Sequence, residues 1–500
     1  MRTLRVPLET PALVVGGAAY GAFVAYVLVE MGTTAAFAVA ALPAIAMGGV
    51  YLMTSGQIAL WAAAFILPIS EFLLGRGIGP LFYQDIVVLV ALGAIIFATF
   101  IARGRVPGIP YTPVVRWPLV FFAAAIFSAV LRGHDTYGAS LIGQPVRLFL
   151  YAAIVASLAG MTVDRVYRVL PLVLYPAVVV LGLRVAFFLA TGGSGQDAFQ
   201  LSTGGTRILG ISASMYASGA LFLALLKLRL AGDTRGRMLH LVVVVISTFC
   251  VAASFGRAVY AAVAIVGLLF FVTSREIRSR VLSVVPLALP FLVILAIAAH
   301  NVAPDFIRSV NDRMFSDVQT DANVQWRLEA NRAVLEQVRE NPLFGVGFGR
   351  TSEFFLEVES ETTGLPSLRT VEIGQDPHNG YMLLLAGGGI FALGTFVLLL
   401  GVFAFDAARR YRANADPRAR LIVLWASATL FVFLLNGASA PVFGKPDYVL
   451  AIWALLVLPA VVRASDAGSR GGTEADEREG DHSSSEAAAR ANVTAGAGAI

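Results

Sequence analysis

The chain has 500 residues, 57% of them hydrophobic and 14% charged, with a mean hydropathy of +0.77, whereas soluble domains run at roughly 45–50% apolar and about 25% charged. That balance excludes a soluble globular protein and predicts an all-α fold, a polytopic membrane helix bundle. The net charge of +5 would point to an acidic partner in a soluble chain, but here arginine placement marks cytoplasmic loops, and no nucleic-acid partner is expected.

In chain order, Arg2 and Arg5 precede an apolar run with no cleavage-site pattern after it, which predicts a retained helix. Apolar windows long enough to cross a hydrocarbon core of about 30 Å occur near 11–29, 34–53, 57–74, 85–102, 115–131, 147–161, 167–190, 208–226, 239–254, 258–273, 281–299, 381–405, 421–437 and 447–462. Counting short hairpins near Thr54 and Phe255 either way gives about 12–14 transmembrane helices. Cys250, the single cysteine, lies within one of these runs. It excludes an internal disulfide and a cysteine metal cluster and is expected to pack as a buried apolar residue.

With both termini cytoplasmic, the inside loops carry Arg103 and Arg105, Arg165 and Arg168, Lys227 to Arg237, Arg275 to Arg280 and Arg409 to Arg418, while the alternate short loops carry isolated basic residues. This positive-inside pattern turns the long polar loop 301–379 outward. The bundle spans residues 1–463 including that loop. Residues 464–500, rich in Gly, Ser, Ala, Asp and Glu, hold too little apolar surface to fold and form a disordered cytoplasmic tail.

Within the loop, Val324, Leu328, Leu335 and Val338 share one helical face, predicting an amphipathic helix near the membrane surface. Asn341-Pro342 ends it, and Gly345, Gly347 and Gly349 let the backbone turn or approach a partner closely. No strand precedes these glycines and no Lys-Ser/Thr follows, so nucleotide binding is not expected. No histidine or carboxylate spacing fits a metal centre.

Arg257, in Ser254-Phe255-Gly256-Arg257 at the outer mouth of a hairpin, either snorkels or binds phosphate. Arg327 sits at the edge of the amphipathic face, with Arg332 further round. His378 carries the side chain best suited to proton transfer near neutrality; the alternative is helix capping, a role that falls mainly to Asn379. Arg184, mid-span, costs at least about 2.5–3.5 kcal/mol in lipid and calls for a polar cavity or a carboxylate such as Glu71 or Asp85. Arg147 starts its helix at the outer side.

The order Trp326-Arg327-Leu328, Asn341-Pro342-Leu343-Phe344-Gly345-Val346-Gly347-Phe348-Gly349, then His378-Asn379-Gly380-Tyr381 resembles the O-antigen ligase and polymerase superfamily, from roughly Cys250 to Phe396. Two positions depart from that pattern: Asn331, where a tryptophan is common, and Gly387, where a glutamate is common. The resemblance implies a membrane glycosyltransferase that takes a glycan from a polyprenyl-diphosphate-linked donor to a glycan or glycolipid acceptor at the outer face of the plasma membrane. By position it makes Arg257, Arg327 and His378 the catalytic set. Arg147, Arg184, Arg332, Asp376, Asn379 and Tyr381 are the accompanying substrate-binding candidates, and no cofactor or metal is expected.

The chemistry suits the residues. Charge grows on a departing diphosphate, and guanidiniums offer fixed, permanently charged donors that replace a divalent metal. His378 would take the acceptor hydroxyl's proton during in-line, inverting attack, with Asp376 orienting its ring. Ligase and polymerase remain equal readings, and a transporter or flippase of lipid-linked glycans is the alternative; that reading calls for two related halves with broken helices at matching positions.

Overall fold

The computed structural model describes residues 112–131, 162–190, 199–200, 206–254, 256–273, 322–347, 353–359, 366–372, 379–440, 442–443, 448 and 451–460, with isolated positions between 278 and 293. The expected helices before residue 112, the one near 147–161, all but isolated positions of the one near 281–299, and the tail 464–500 lie outside the described residues.

The described helices follow the hydropathy windows closely. They are α1 (Pro113–Leu131), α2 (Val163–Ala190), α3 (Ile211–Leu230), α4 (Thr234–Ala252), α5 (Arg257–Thr273), α6 (Ala322–Glu340), α7 (Gly380–Ala413), α8 (Pro417–Gly437) and α9 (Ala451–Ala460). Among the described residues, α2, α3, α4, α7 and α8 are long and apolar enough to cross a membrane, as expected of a polytopic helical membrane protein. Several helices outrun their windows because polar residues continue them. Thus α4 starts at Thr234 and is capped by Asp233, whose carboxylate accepts from Gly236 N at 3.0 Å, a side-chain partner for an otherwise orphaned donor.

One core joins the bundle. Trp425 of α8 is fully buried and its indole donates to Gly219 O of α3 at 2.8 Å. The missing side chain at Gly219 is what permits this approach, since a Cβ there would meet Thr429 Cγ2 at 3.0 Å. Tyr216 and Phe433 pack edge to face at 5.6 Å nearby. Cys250 is buried and belongs to this core.

The contacts sort the helix ends into two sets. At one end, Lys227 Nζ lies 3.6 Å from the Tyr167 ring centre and Arg418 pairs with Asp164. This end gathers the basic residues of the α2 start, the α3–α4 turn and the α7–α8 turn. Arg410, read as a loop arginine, lies instead inside α7 and is 6% exposed; its Nε meets Asp406 Oδ2 at 2.5 Å. At the other end, Leu209 N donates to Ala253 O at 3.4 Å and Gly380 N to Ala440 O at 3.0 Å. The starts of α3, α5 and α7 and the ends of α2, α4 and α8 therefore meet there.

Two short antiparallel hairpins add to the helices: β1 (Phe199–Gln200) with β2 (Thr206–Arg207), and β3 (Glu353–Glu359) with β4 (Pro366–Glu372). The second lies in the long loop, with Leu356 opposite Arg369 in its register. It is an addition to the sequence expectation, which gave that segment no strands.

Candidate functional site

The α4–α5 hairpin is tied by Ser254. Its buried hydroxyl donates to Val251 O at 2.7 Å and accepts from Gly256 N at 3.3 Å, so it closes the turn. Arg257 is then the first residue of α5 and half-buried. A helix N-terminus carries partial positive charge, so guanidinium and helix end present the same sign and favour an anion.

Arg184 lies in the last two turns of α2 rather than mid-span, about 9 Å along the axis from Ala190. It therefore approaches the same end as Arg257, which lowers the cost of its charge. Its suggested partners Glu71 and Asp85 lie outside the described residues, as do Arg147, Asp376 and His378.

The amphipathic helix exists as α6 and ends before Asn341-Pro342 as expected. Of its predicted apolar face, Val338 is buried in the seam with α7, while the two leucines point outward. Leu328 and Leu335 are 56% and 41% exposed, while Ala330, Val334 and Val338 are buried against Ala386, with Met382 and Leu385 beside them. Small side chains let two helices approach closely, so the alanines took the seam and the leucines were left outward. Arg327 opens the buried stripe, three residues before Ala330, and is half-buried. Arg332 faces away from the seam and is exposed, with Nε 3.6 Å from Glu336 Oε1; such a pair contributes about 0.3–0.5 kcal/mol.

The glycine-rich turn after α6 has a partner that hydropathy conceals. Helix α7 is broken at Gly389, where φ is 64° and ψ −163°. A break in an apolar helix strands backbone donors and acceptors that lipid cannot satisfy. The turn supplies the missing partners. Val346 N donates to Ala386 O at 2.8 Å, Ile390 N to Pro342 O at 2.8 Å and Phe391 N to Leu343 O at 3.2 Å.

Two glycines make this possible. A Cβ at Gly389 would lie 2.4 Å from Leu343 O, and one at Gly345 would lie 2.2 Å from Ala386 O; both residues have φ of +64°. The turn is therefore a clamp that joins α6 to α7. Thirteen residues separate Arg327 from Glu340 and eleven separate Asn379 from Ile390, or about 20 Å and about 17 Å along the two axes. A clamp between the end of α6 and the break in α7 thus governs how far Arg327 stands from the start of α7.

That start is firmly held. Asn379 caps it, its Oδ1 accepting from Tyr381 N at 3.0 Å and Met382 N at 3.3 Å. Tyr381 donates its hydroxyl to Leu434 O at 2.8 Å and packs on Phe443 with ring centres 5.2 Å apart. Both residues are committed to fixing the helix that directly follows His378 in the chain. Among the described residues no three His, Cys, Asp or Glu side chains gather into a metal-binding group.

A membrane helix bundle with an arginine-bearing α6 clamped onto a broken α7 is the architecture in hand, and comparison places it among known proteins. Residues 242–397 match the family model described as O-Antigen ligase, so this segment is similar to the O-antigen ligase superfamily, in line with the resemblance of its motifs. The curated O-antigen ligase of Salmonella typhimurium is 25% identical over 188 residues, covering 38% of this chain and 45% of that protein. The match therefore spans less than half the length of that relative.

Proposed function

We propose that the protein is a glycosyltransferase that moves a glycan from a polyprenyl-diphosphate-linked donor onto an acceptor hydroxyl at the extracytoplasmic membrane face, with inversion and without a metal. The observation that carries this reading is that Arg257 opens α5 at the end of the bundle where α7 begins, and that α6, which bears Arg327, packs along the first turns of α7. Arginines concentrate at the opposite end, which supports placing that end in the cytoplasm.

In the reaction, the acceptor oxygen attacks the anomeric carbon as His378 accepts its proton. The bond to the diphosphate breaks and the electron pair leaves with that group. Arg257, beside the α5 N-terminus, and Arg327 receive the growing charge, each charge-assisted hydrogen bond contributing about 1.5–3 kcal/mol. Arg147, Arg184 and Asp376 are proposed to line the substrate path, and Arg332 to meet a headgroup from the outer face of α6. Asn379 and Tyr381 hold the helix start. The outward Leu328 and Leu335 would rest in the outer leaflet.

A broken helix also occurs at transporter binding sites, where half-helix ends face the substrate. In α7 both sides of the break are filled by the chain's own turn, which favours an enzyme. The test is purified protein with a polyprenyl-diphosphate glycan, an acceptor, chelator and no ATP. New glycosidic product supports transfer. Passage of the donor across vesicles without bond formation supports the transporter, and a requirement for added metal contradicts the arginine chemistry.

A further inference from the structure

Ser128 of α1 is fully buried, more than two hundred residues away in sequence from the carbonyls its hydroxyl faces. Oγ lies 2.6 Å from Phe344 O and 3.0 Å from Gly387 O. The first carbonyl belongs to the turn that ends α6, the second to the broken stretch of α7. A serine has one proton to donate, so it bonds one carbonyl at a time while separating two like dipoles. The same turn is held by rings as well, Phe344 packing edge to face with Phe127 of α1 at 5.7 Å and Phe391 of α7 at 6.0 Å.

We propose that Ser128 is a positioning residue of the transfer site: by donating in turn to Phe344 O and Gly387 O it ties the α6 turn and α7 to one point on α1, holds α6 against α7 and so fixes Arg327 relative to the start of α7. This rests on the reading of Arg327 and His378 as catalytic. It also gives the Asn341–Val346 turn a structural duty in place of ligand binding. The carbonyls of Pro342 and Leu343 and the amide of Val346 are spent on α7, and the Phe344 carbonyl faces Ser128.

The test compares Ser128 with Ser128→Ala in the purified full chain carrying Cys250→Ala and Val334→Cys. Val334 is fully buried in the α6–α7 seam, so a polar maleimide reads how often the seam opens. The latch predicts about tenfold faster labelling in Ser128→Ala, the change in a local opening equilibrium that one lost buried hydrogen bond brings. It also predicts a kcat about tenfold lower with acceptor KM unchanged, because misplacement acts on chemistry.

Equal labelling overturns the latch. Faster labelling with unchanged kcat overturns its positioning role. Labelling needs no glycan, so it still judges the latch if Arg327→Ala and His378→Ala keep full transfer and thereby remove the catalytic reading.

Discussion

Alanine at Gly389 presses directly on the joint between α6 and α7. The residue has φ of +64°, and a Cβ would lie 2.4 Å from both the carbon and the oxygen of the Leu343 carbonyl and 2.6 Å from Gly345 N. With ψ at −163° this is a region that only glycine adopts freely, and another residue there costs about 1–3 kcal/mol. The obstructing atoms are backbone, so the whole turn must retreat, breaking the Ile390–Pro342 and Phe391–Leu343 hydrogen bonds. Each buried group left unpaired costs about 1–3 kcal/mol. The two stranded amides of α7 plus the strain give about 3–9 kcal/mol, against about 3–6 kcal/mol from burying Val334 and Val338. The turn and α6 should therefore undock while the bundle core stays folded.

Hydrogen exchange on the protein in nanodiscs checks this. Gly389→Ala should strip protection from the amides of α6 and from Ile390 and Phe391, and leave α3 and α8 as protected as in the parent. Parent-like protection of α6 in the variant would refute the reasoning.

Other expectations follow from separate contacts. Gly219→Ala should lower the melting temperature in detergent, and adding Thr429→Ser should recover most of the loss by removing the Cγ2 that the new methyl meets; no recovery would mean the strain lies elsewhere. Asp406→Asn strands the buried Arg410 guanidinium and should destabilise by about 3–5 kcal/mol, whereas Asp406→Leu with Arg410→Met should be nearly neutral in the same melt. Arg327→Lys keeps the charge but loses the planar fork, so transfer should fall at least about tenfold with normal membrane insertion; parent-level turnover would argue against paired donation by Arg327.

Hydropathy made the bundle legible because a membrane span needs a long apolar run whatever its neighbours are. The end of α6 at Asn341-Pro342 and the need for glycine at Gly345 were equally local, set by backbone sterics. What Gly345 approaches was not legible. Residues 381–405 read as one apolar span, and the break at Gly389 shows only in backbone angles and in its hydrogen bonds to a distant turn.

The seam of α6 against α7 was hidden for a related reason. Periodicity weighted Leu328 and Leu335 by hydrophobicity, while close packing on α7 selected Ala330 and Val334. The β3–β4 hairpin did leave a trace, the alternation Leu356-Glu357-Val358-Glu359 and a Gly364-Leu365-Pro366 turn signal, hidden by a high glutamate and threonine content. Ser128 offered no signal, because a serine in an apolar run gains its meaning only from the carbonyls brought to it.

The most direct test of the central claim is a double-mutant cycle on transfer rate for Arg257→Ala and Arg327→Ala. If the two guanidiniums hold one diphosphate, the double variant should lose less than the two single losses combined, with a coupling above about 0.5 kcal/mol. Strictly additive losses, or full activity in either single variant, would show that these arginines do not share a substrate.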